Sequence, residues 1–542
     1  MRSRTVPGAC RRALPAVLSV GVLALAACGS PAAGGGGGAG AAGTPRSGGT
    51  LTYAVGTDVL CADPQQAGNG DELAAARGLV DSLTAHDPDS GKQVPWLASS
   101  WEVGEGARSF TFHLRTGVTF SDGTPLDAQV VKGNFDNVAK LGAHAVQATS
   151  YLAGYRGTTV VDPQTVRIDF DQPNAKFLEG TSSPSLGLVA TATLAKPAAD
   201  RCSEGVIGSG PFTLERFTRN QQVVEVPRKD YAWAAANAAH QGPAYLSSLV
   251  FKVVPQDGVR SGGLRSGQFD AIGAVGPQDR QPLRAAGYQL LTRAVPGLVY
   301  SLNVNVSRPA TADPAVRTAL RLALDRQQIV DTVLGDGSKA ATSVLASTTP
   351  GYTDLGPKLA ADPAGAARLL DGAGWTKGPD GVRTKDGTRL SLVAVWFGGA
   401  GPVQTSLELA QQQLKSVGVE LTLRPIAIAQ AIATFKAGDY DLIDGQGSNA
   451  DPDILRTYYN PQGLNVVRLP AGPLQDLLNS QATEADPAAR AQQVGKAQQQ
   501  LVDDGYAIPL YEATGVIGLA PRVHGVSFDA ASRPQFHDAW LS

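Results

Sequence analysis

Cys28 is the residue whose neighbours point most directly to chemistry. It closes the run Leu25-Ala26-Ala27-Cys28, behind Arg2, Arg4, Arg11 and Arg12 and an apolar stretch over 13–27. About fifteen apolar residues fall short of the ~20 that span a bilayer as a helix. They have the size and flanks of a secretory signal. Small residues directly before a cysteine are similar to a bacterial lipobox, in which the thiol receives a diacylglycerol and the signal is cleaved ahead of it. The expectation is a mature chain that starts at Cys28 and is held to a membrane by lipid.

Other reactive groups are sparse. Cys61 and Cys202 remain once Cys10 goes with the signal, and an even pair in an oxidising compartment suits a disulfide. Two free buried thiols are the plainer alternative. The six histidines (His86, His113, His144, His240, His524, His537) show no HxxH or HExxH spacing, and no Cys-x-x-Cys occurs. No metal site and no cofactor are expected. A serine hydrolase would need a nucleophile elbow with a histidine after it, and Gly208-Ser209-Gly210 lacks the rest of that pattern. The same segment has no phosphate-loop lysine, and Pro211 removes a backbone donor, so a structural turn is the reading.

These residues need a scaffold, and composition bounds it. The 542 residues carry a formal net charge of −2, with 43% hydrophobic and 17% charged residues. That is a globular composition with no electrostatic footprint for nucleic acid. More than 500 residues after Cys28 exceed one hydrophobic core, so at least two domains are expected. Residues 29–49 are almost entirely Gly, Ala, Ser and Pro, with five consecutive glycines at 34–38. They lack side chains large enough to offset ordering entropy and read as a flexible tether over 28–48.

Beyond the tether, Gly49-Thr50-Leu51-Thr52-Tyr53-Ala54-Val55 alternates as a strand, as do 109–115 and 165–170. The spacing predicts helices over 73–83, 315–333, 407–417 and 488–504. Asp127 is placed to cap a helix through Val130 and Phe135. Asp362 with Pro363 opens another, which Gly372 can end. In the second half strands at 390–395, 419–423, 439–444 and 507–511 interleave with helices, the pattern of an α/β lobe.

Eight blocks then occur in a telling order: the lipobox, Trp96 to Val103, Phe110 to Phe120 with Ser121-Asp122-Gly123-Thr124-Pro125, Gly208 to Phe212, Val316 through Asp325-Arg326, Gly374-Trp375, Tyr440-Asp441, and Ile508 to Tyr511. Together they resemble the extracytoplasmic solute-binding proteins of peptide, nickel and opine ABC importers, family 5. Asn134-Phe135-Asp136-Asn137-Val138 is nearest the nickel and opine branch. The resemblance implies an α/β two-lobe clamp of the periplasmic-binding-protein type. Lobe I would comprise 49–254 plus 508–542, with an inserted subdomain at about 73–185, and lobe II would comprise 255–507. It implies no enzyme. A small molecule or short peptide would sit between the lobes of a monomer anchored through Cys28, which delivers it to a membrane permease. An extracellular hydrolase, or a tethered sensor or chaperone on the same clamp, is the alternative.

The resemblance also directs attention to Gly445-Gln446-Gly447-Ser448-Asn449-Ala450-Asp451-Pro452. Peptide-binding members hold the ligand's α-ammonium with an aspartate that aligns with Ser448. A neutral hydroxyl gives no charge-assisted contact. Asp444 or Asp451 could substitute, or they could merely cap and turn the loop. Positions matching the aromatic and arginine wall of nickel-chelate binders are Val146, Gln446 and 182–188, without an arginine. The ligand-binding candidates are therefore Tyr53, Trp396, Phe397, Asp444, Gln446, Ser448, Asn449, Asp451 and Tyr511. Core packing is the competing reading for Trp396 and Tyr53.

Overall fold

A computed structural model describes residues 43–398 and 401–542. The signal, Cys28, most of the tether and Gly399 lie outside the described residues, and the lipid-anchor expectation with them. Among the described residues no helix is long and apolar enough to cross a membrane.

Two sheets organise the chain. The seven-stranded sheet runs in the order Gln289–Ala294, Thr514–Leu519, Ala271–Ile272, Thr50–Val55, Ser248–Val253, Gln222–Pro227, Phe212–Thr218. Thr50–Val55 is parallel to both neighbours, which buries it from either side and explains why Leu51, Ala54 and Val55 have no exposure. The five-stranded sheet runs in the order Glu420–Ile426, Ser391–Phe397, Leu442–Ser448, Gly297–Val304, Ala507–Tyr511. Its first three strands are mutually parallel, connected by helices such as Pro402–Ser416, and its last two pair antiparallel.

The sheets correct the expected lobe limits. Ala271–Ile272 and Gln289–Ala294 were assigned to lobe II by sequence but bond to Thr50–Val55 and Thr514–Leu519 in the first sheet. Ala507–Tyr511 was assigned almost wholly to lobe I but bonds to Gly297–Val304. The chain passes between sheets at 295–296 and 512–513, where Val295 N–H donates to the Ala513 carbonyl at 2.7 Å. Strand propensity says that a segment is extended; it does not say which sheet offers the open edge, and so the first crossing falls some forty residues late of 254.

The segment expected as an inserted subdomain carries its own four-stranded sheet, Ala98–Val103, Ser109–Leu114, Thr165–Phe170, Tyr155–Asp162. Phe110, Phe112, Phe135, Phe170 and Phe177 fill its core with edge-on ring contacts. Asp127 caps Ala128–Leu141 by accepting from Val130 N–H. The insert also reaches the second lobe: Ala175 N–H donates to the Ala482 carbonyl, and Lys176 Nζ stands 3.9 Å from Asp453.

Local signals explain most element limits. Asn69 and Glu72 form a reciprocal capping box at the start of Gly70–Leu79. Asp362 caps Pro363–Gly372 and Asp486 caps Pro487–Asp503, each with proline in the first turn. The single helix expected over 315–333 is instead broken. Leu324 is extended and Asp325 accepts from Gln328 N–H, so Pro314–Ala323 ends and Arg326–Ile329 begins as a separately capped helix. At Gly208 a Cβ would lie 1.9 Å from the Leu79 carbonyl oxygen, so the glycine-rich turn exists for close backbone approach. Cys61 and Cys202 form a disulfide that ties the first loop to Ala198–Glu204.

Candidate functional site

In α/β sheets ligands gather beyond the carboxyl ends of parallel strands. In the second lobe those ends belong to Ser391–Phe397 and Leu442–Ser448, whose ladder pairs Ala394 with Leu442 and Val395 with Ile443. The next residue on each strand is Trp396 and Asp444. Period-two alternation turns both toward the face that holds Leu302, Leu407 and Tyr511. Tyr300 joins them by stacking on Tyr511, ring centroids 4.7 Å apart. Ser406, from the first turns of Pro402–Ser416, lies beside the Tyr511 hydroxyl.

The electrostatics there are unusual. Asp444 is 4% exposed, and burial alone pushes its carboxyl up to about 7. No hydrogen bond or cation among the described residues opposes that shift. Burial, then the nearby Asp444 and Tyr300, raise the Tyr511 phenol well above its ordinary range. Trp396 is 3% exposed and its Nε1–H has no hydrogen-bond partner among the described residues. A carboxylate and an indole N–H, both buried and unpartnered, are costly for a core and available to a ligand.

Asp451 is the contrary case. Its two carboxylate oxygens receive Arg490 Nη1 and Nη2 at 2.8 and 2.7 Å, and Oδ1 also accepts from Asp453 N–H at 2.7 Å. Burial opposes ionisation, but the Arg490 guanidinium holds the carboxyl below its usual range. Asn449 turns the loop by accepting from Asp451 N–H. Ser448 is exposed at the end of its strand, opposite Gly297. Asp451 and Asn449 thus build the loop, and they do not join the Asp444 group.

Gln446 and Phe397 line a cavity of about 260 Å³ with Asp444, Phe435, Tyr458 and Val466. Phe397 meets Phe435 edge-on at 5.9 Å. Tyr53 sits elsewhere: it packs against Phe251 and Phe536 in the first lobe's core at 2% exposure. Its strand pattern signals burial but not which side of the sheet holds solvent. Tyr300 escaped sequence reading because its strand is buried at nearly every position, Ser301 and Asn303 included, which hides the alternation; the signal for Ser406 was its place in the first turns of the helix that follows Trp396 and Phe397.

Two further groups lie in the first lobe. A cavity of about 260 Å³ is walled by Arg77, His86, Trp96, Tyr231, Phe536 and Asp538. Arg77 is committed there to the Val80 and Ser182 carbonyls and the Ser82 hydroxyl. His240 and His537 both turn Nδ1 to Asp538, while each Nε2 meets a backbone carbonyl. These three groups are close enough to share an ion. The rings, however, stack 3° from parallel with centroids 4.3 Å apart, so their in-plane lone pairs do not converge on one. Hydrogen bonding accounts for the cluster.

Comparison with known proteins agrees with this architecture. Glutathione-binding protein GsiB of Salmonella typhimurium is 27% identical over 385 residues, covering 71% of this chain and 70% of that protein. Protein XP55 of Streptomyces lividans is 29% identical over 479 residues, covering 84% and 82%. The nickel-binding periplasmic protein of Escherichia coli is 26% identical over 369 residues, covering 65% and 66%. Among solved structures, NikA from Brucella suis in complex with Fe(III)-EDTA superposes with a TM-score of 0.77 at 25% identity, covering 91% of this chain and all of that one. CtaP of Listeria monocytogenes superposes at 0.78 with 22% identity, covering 92% and 100%. The fold is the two-lobe α/β clamp of periplasmic binding proteins. The family model for bacterial extracellular solute-binding proteins, family 5, matches residues 92–465, and the chain belongs to that family of ABC-importer binding proteins, which are not enzymes.

Proposed function

We propose that this protein captures one small, peptide-sized solute between its lobes and hands it to the permease of an ABC importer while anchored through lipid on Cys28. The observation that carries the reading is the pair of adjoining crossings at 295–296 and 512–513. Two sheets with separate cores are joined beside the strand ends that present Ser448 and Tyr511. Such a joint lets one body rotate on the other, and a solute that touches both stabilises the closed form. Polar contacts join the two bodies: Lys176 with Asp453, Ala175 with Ala482, and Arg280, which donates to the Leu334 and Asp336 carbonyls and the Ser338 hydroxyl.

The solute class follows from the relatives, which are named for glutathione and nickel, and from the pocket. A cavity of about 260 Å³ on the second lobe, walled by Phe397, Tyr458 and Gln446, offers part of a site for a short peptide or peptide-like conjugate. The protein works as a monomer in this account. Lipid on Cys28 and the glycine tether keep it near the permease.

The test is a thermal-shift screen of short peptides, opines and metal chelates, followed by solution scattering of any hit. A saturable rise in melting temperature with a smaller radius of gyration is expected. Turnover of a peptide or ester without such a change would contradict the reading. Cys28→Ala should release the protein from membranes and leave solute binding intact.

A further inference from the structure

Resting on the solute-binding reading, we propose that the solute carries an uncharged apolar side chain, branched aliphatic or aromatic, and that the second-lobe cavity beside Phe397, Ile432 and Phe435 receives it.

Phe397, the last residue of its strand, lines two adjoining hollows. One is the cavity of about 260 Å³, and the other is an open hollow of about 610 Å³ bounded by Pro425, Ile426 and Ala427. The short helix Ala431–Ala437 supplies a further wall. Its Phe435 is buried and meets Phe397 edge-on. Ile432, three residues earlier and so on the same side of the helix, lines the cavity too but is 52% exposed. A large aliphatic side chain left in water at the mouth of an apolar hollow gains when something apolar covers it. The space exceeds what an alanine methyl needs and suits a leucine or phenylalanine side chain.

The polar groups of the wall fit the same guest. Asn303 is spent within the lobe: its amide donates to the Ser301 and Ile443 carbonyls, and its Oδ1 accepts from the Tyr459 hydroxyl. The Tyr458 hydroxyl donates to the Gln446 carbonyl at 3.4 Å. The half-buried Gln446 side-chain amide has no partner among the described residues and is free to meet a peptide backbone. No lysine, arginine or histidine lines either hollow. A carboxylate entering here would lose its hydration, find no cation and face the Asp444 carboxyl. Glutathione, for which one relative is named, carries carboxylates at both ends, so this wall separates the present chain from that ligand.

The test is isothermal titration of the intact protein with tri-alanine, tri-leucine and tri-glutamate. Tri-leucine is expected to bind about tenfold or more tighter than tri-alanine, since each methylene counts in an apolar pocket. Its heat-capacity change should be the more negative, the mark of apolar burial. Tri-glutamate should bind more weakly than tri-alanine. Ile432→Ser alters an exposed position, so the fold survives, and it should remove most of tri-leucine's advantage; Ile432→Leu should keep it. Equal binding of tri-alanine and tri-leucine, an advantage that Ile432→Ser leaves intact, or tightest binding by tri-glutamate would each overturn the apolar assignment and leave the receptor reading standing. An anionic solute found on the purified protein by native mass spectrometry would do the same. Binding of none of the three peptides would overturn the assignment and the peptide-receptor reading together.

Discussion

Asp444 and Asp451 sit seven residues apart, are each 4% exposed, and have opposite surroundings. Asp451 is clasped by Arg490 and a backbone N–H, and its carboxyl is held low. Asp444 has no such partners among the described residues, and its carboxyl is pushed up to about 7. Burial is common to both, so partners decide. A buried charge with every lone pair used is scaffold, because removing its partner is what costs. A buried charge left bare lowers the stability of the empty protein and is tolerated where another molecule completes it.

The largest way to break this comparison is Arg490→Ala. It strands Asp451, crowds Asp453 and removes the contacts to Gln481, and should cost about 3–5 kcal/mol in urea unfolding. A loss under ~1 kcal/mol would mean the Asp451 pair is not scaffold. Next is the double change Cys61→Ser with Cys202→Ser. It frees a loop of sequence separation 141 in the first lobe and should cost about 2–5 kcal/mol. Because that staple lies far from Asp444, affinity for solute should persist in what remains folded.

Asp444→Asn should act with the opposite sign. The folded carboxyl titrates near 7 and the unfolded one near 3.8, so the empty wild-type protein binds more protons folded than unfolded between those values. Its stability therefore falls as pH rises from about 4 to about 7, then levels. Asparagine removes that fall. The variant should be more stable than wild type at pH 8, by up to about 4 kcal/mol, and about equally stable at pH 4. A variant that is less stable at pH 8 would mean Asp444 has a partner in the folded protein. The smallest effect belongs to Trp396→Phe, which deletes only the unpartnered N–H and part of a ring. Stability of the empty protein should change by less than ~1 kcal/mol. Solute affinity should fall, since the N–H is used only in the complex.

The sequence was most legible where chemistry is local. Asp127, Asp362 and Pro363 marked helix starts that the fold contains, because a cap acts within one turn. Glycines 208 and 210 marked a turn for the same reason. Lobe limits were less legible, since pairing of Gln289–Ala294 with Thr514–Leu519 joins segments more than two hundred residues apart. At the site, Asp444 and Trp396 were visible as types near strand ends. Tyr53 was the same kind of signal and proved to be core against Phe251 and Phe536. What distinguishes them is whether a polar atom is left without a partner, and that depends on side chains from four strands and a helix at once.

Native mass spectrometry of the protein purified from its own host, wild type beside Asp444→Asn, tests the central claim most directly. The account predicts one small, peptide-sized molecule retained on the wild type and absent from the variant, with both folded. An empty wild-type protein, or the same bound mass on both, would contradict it.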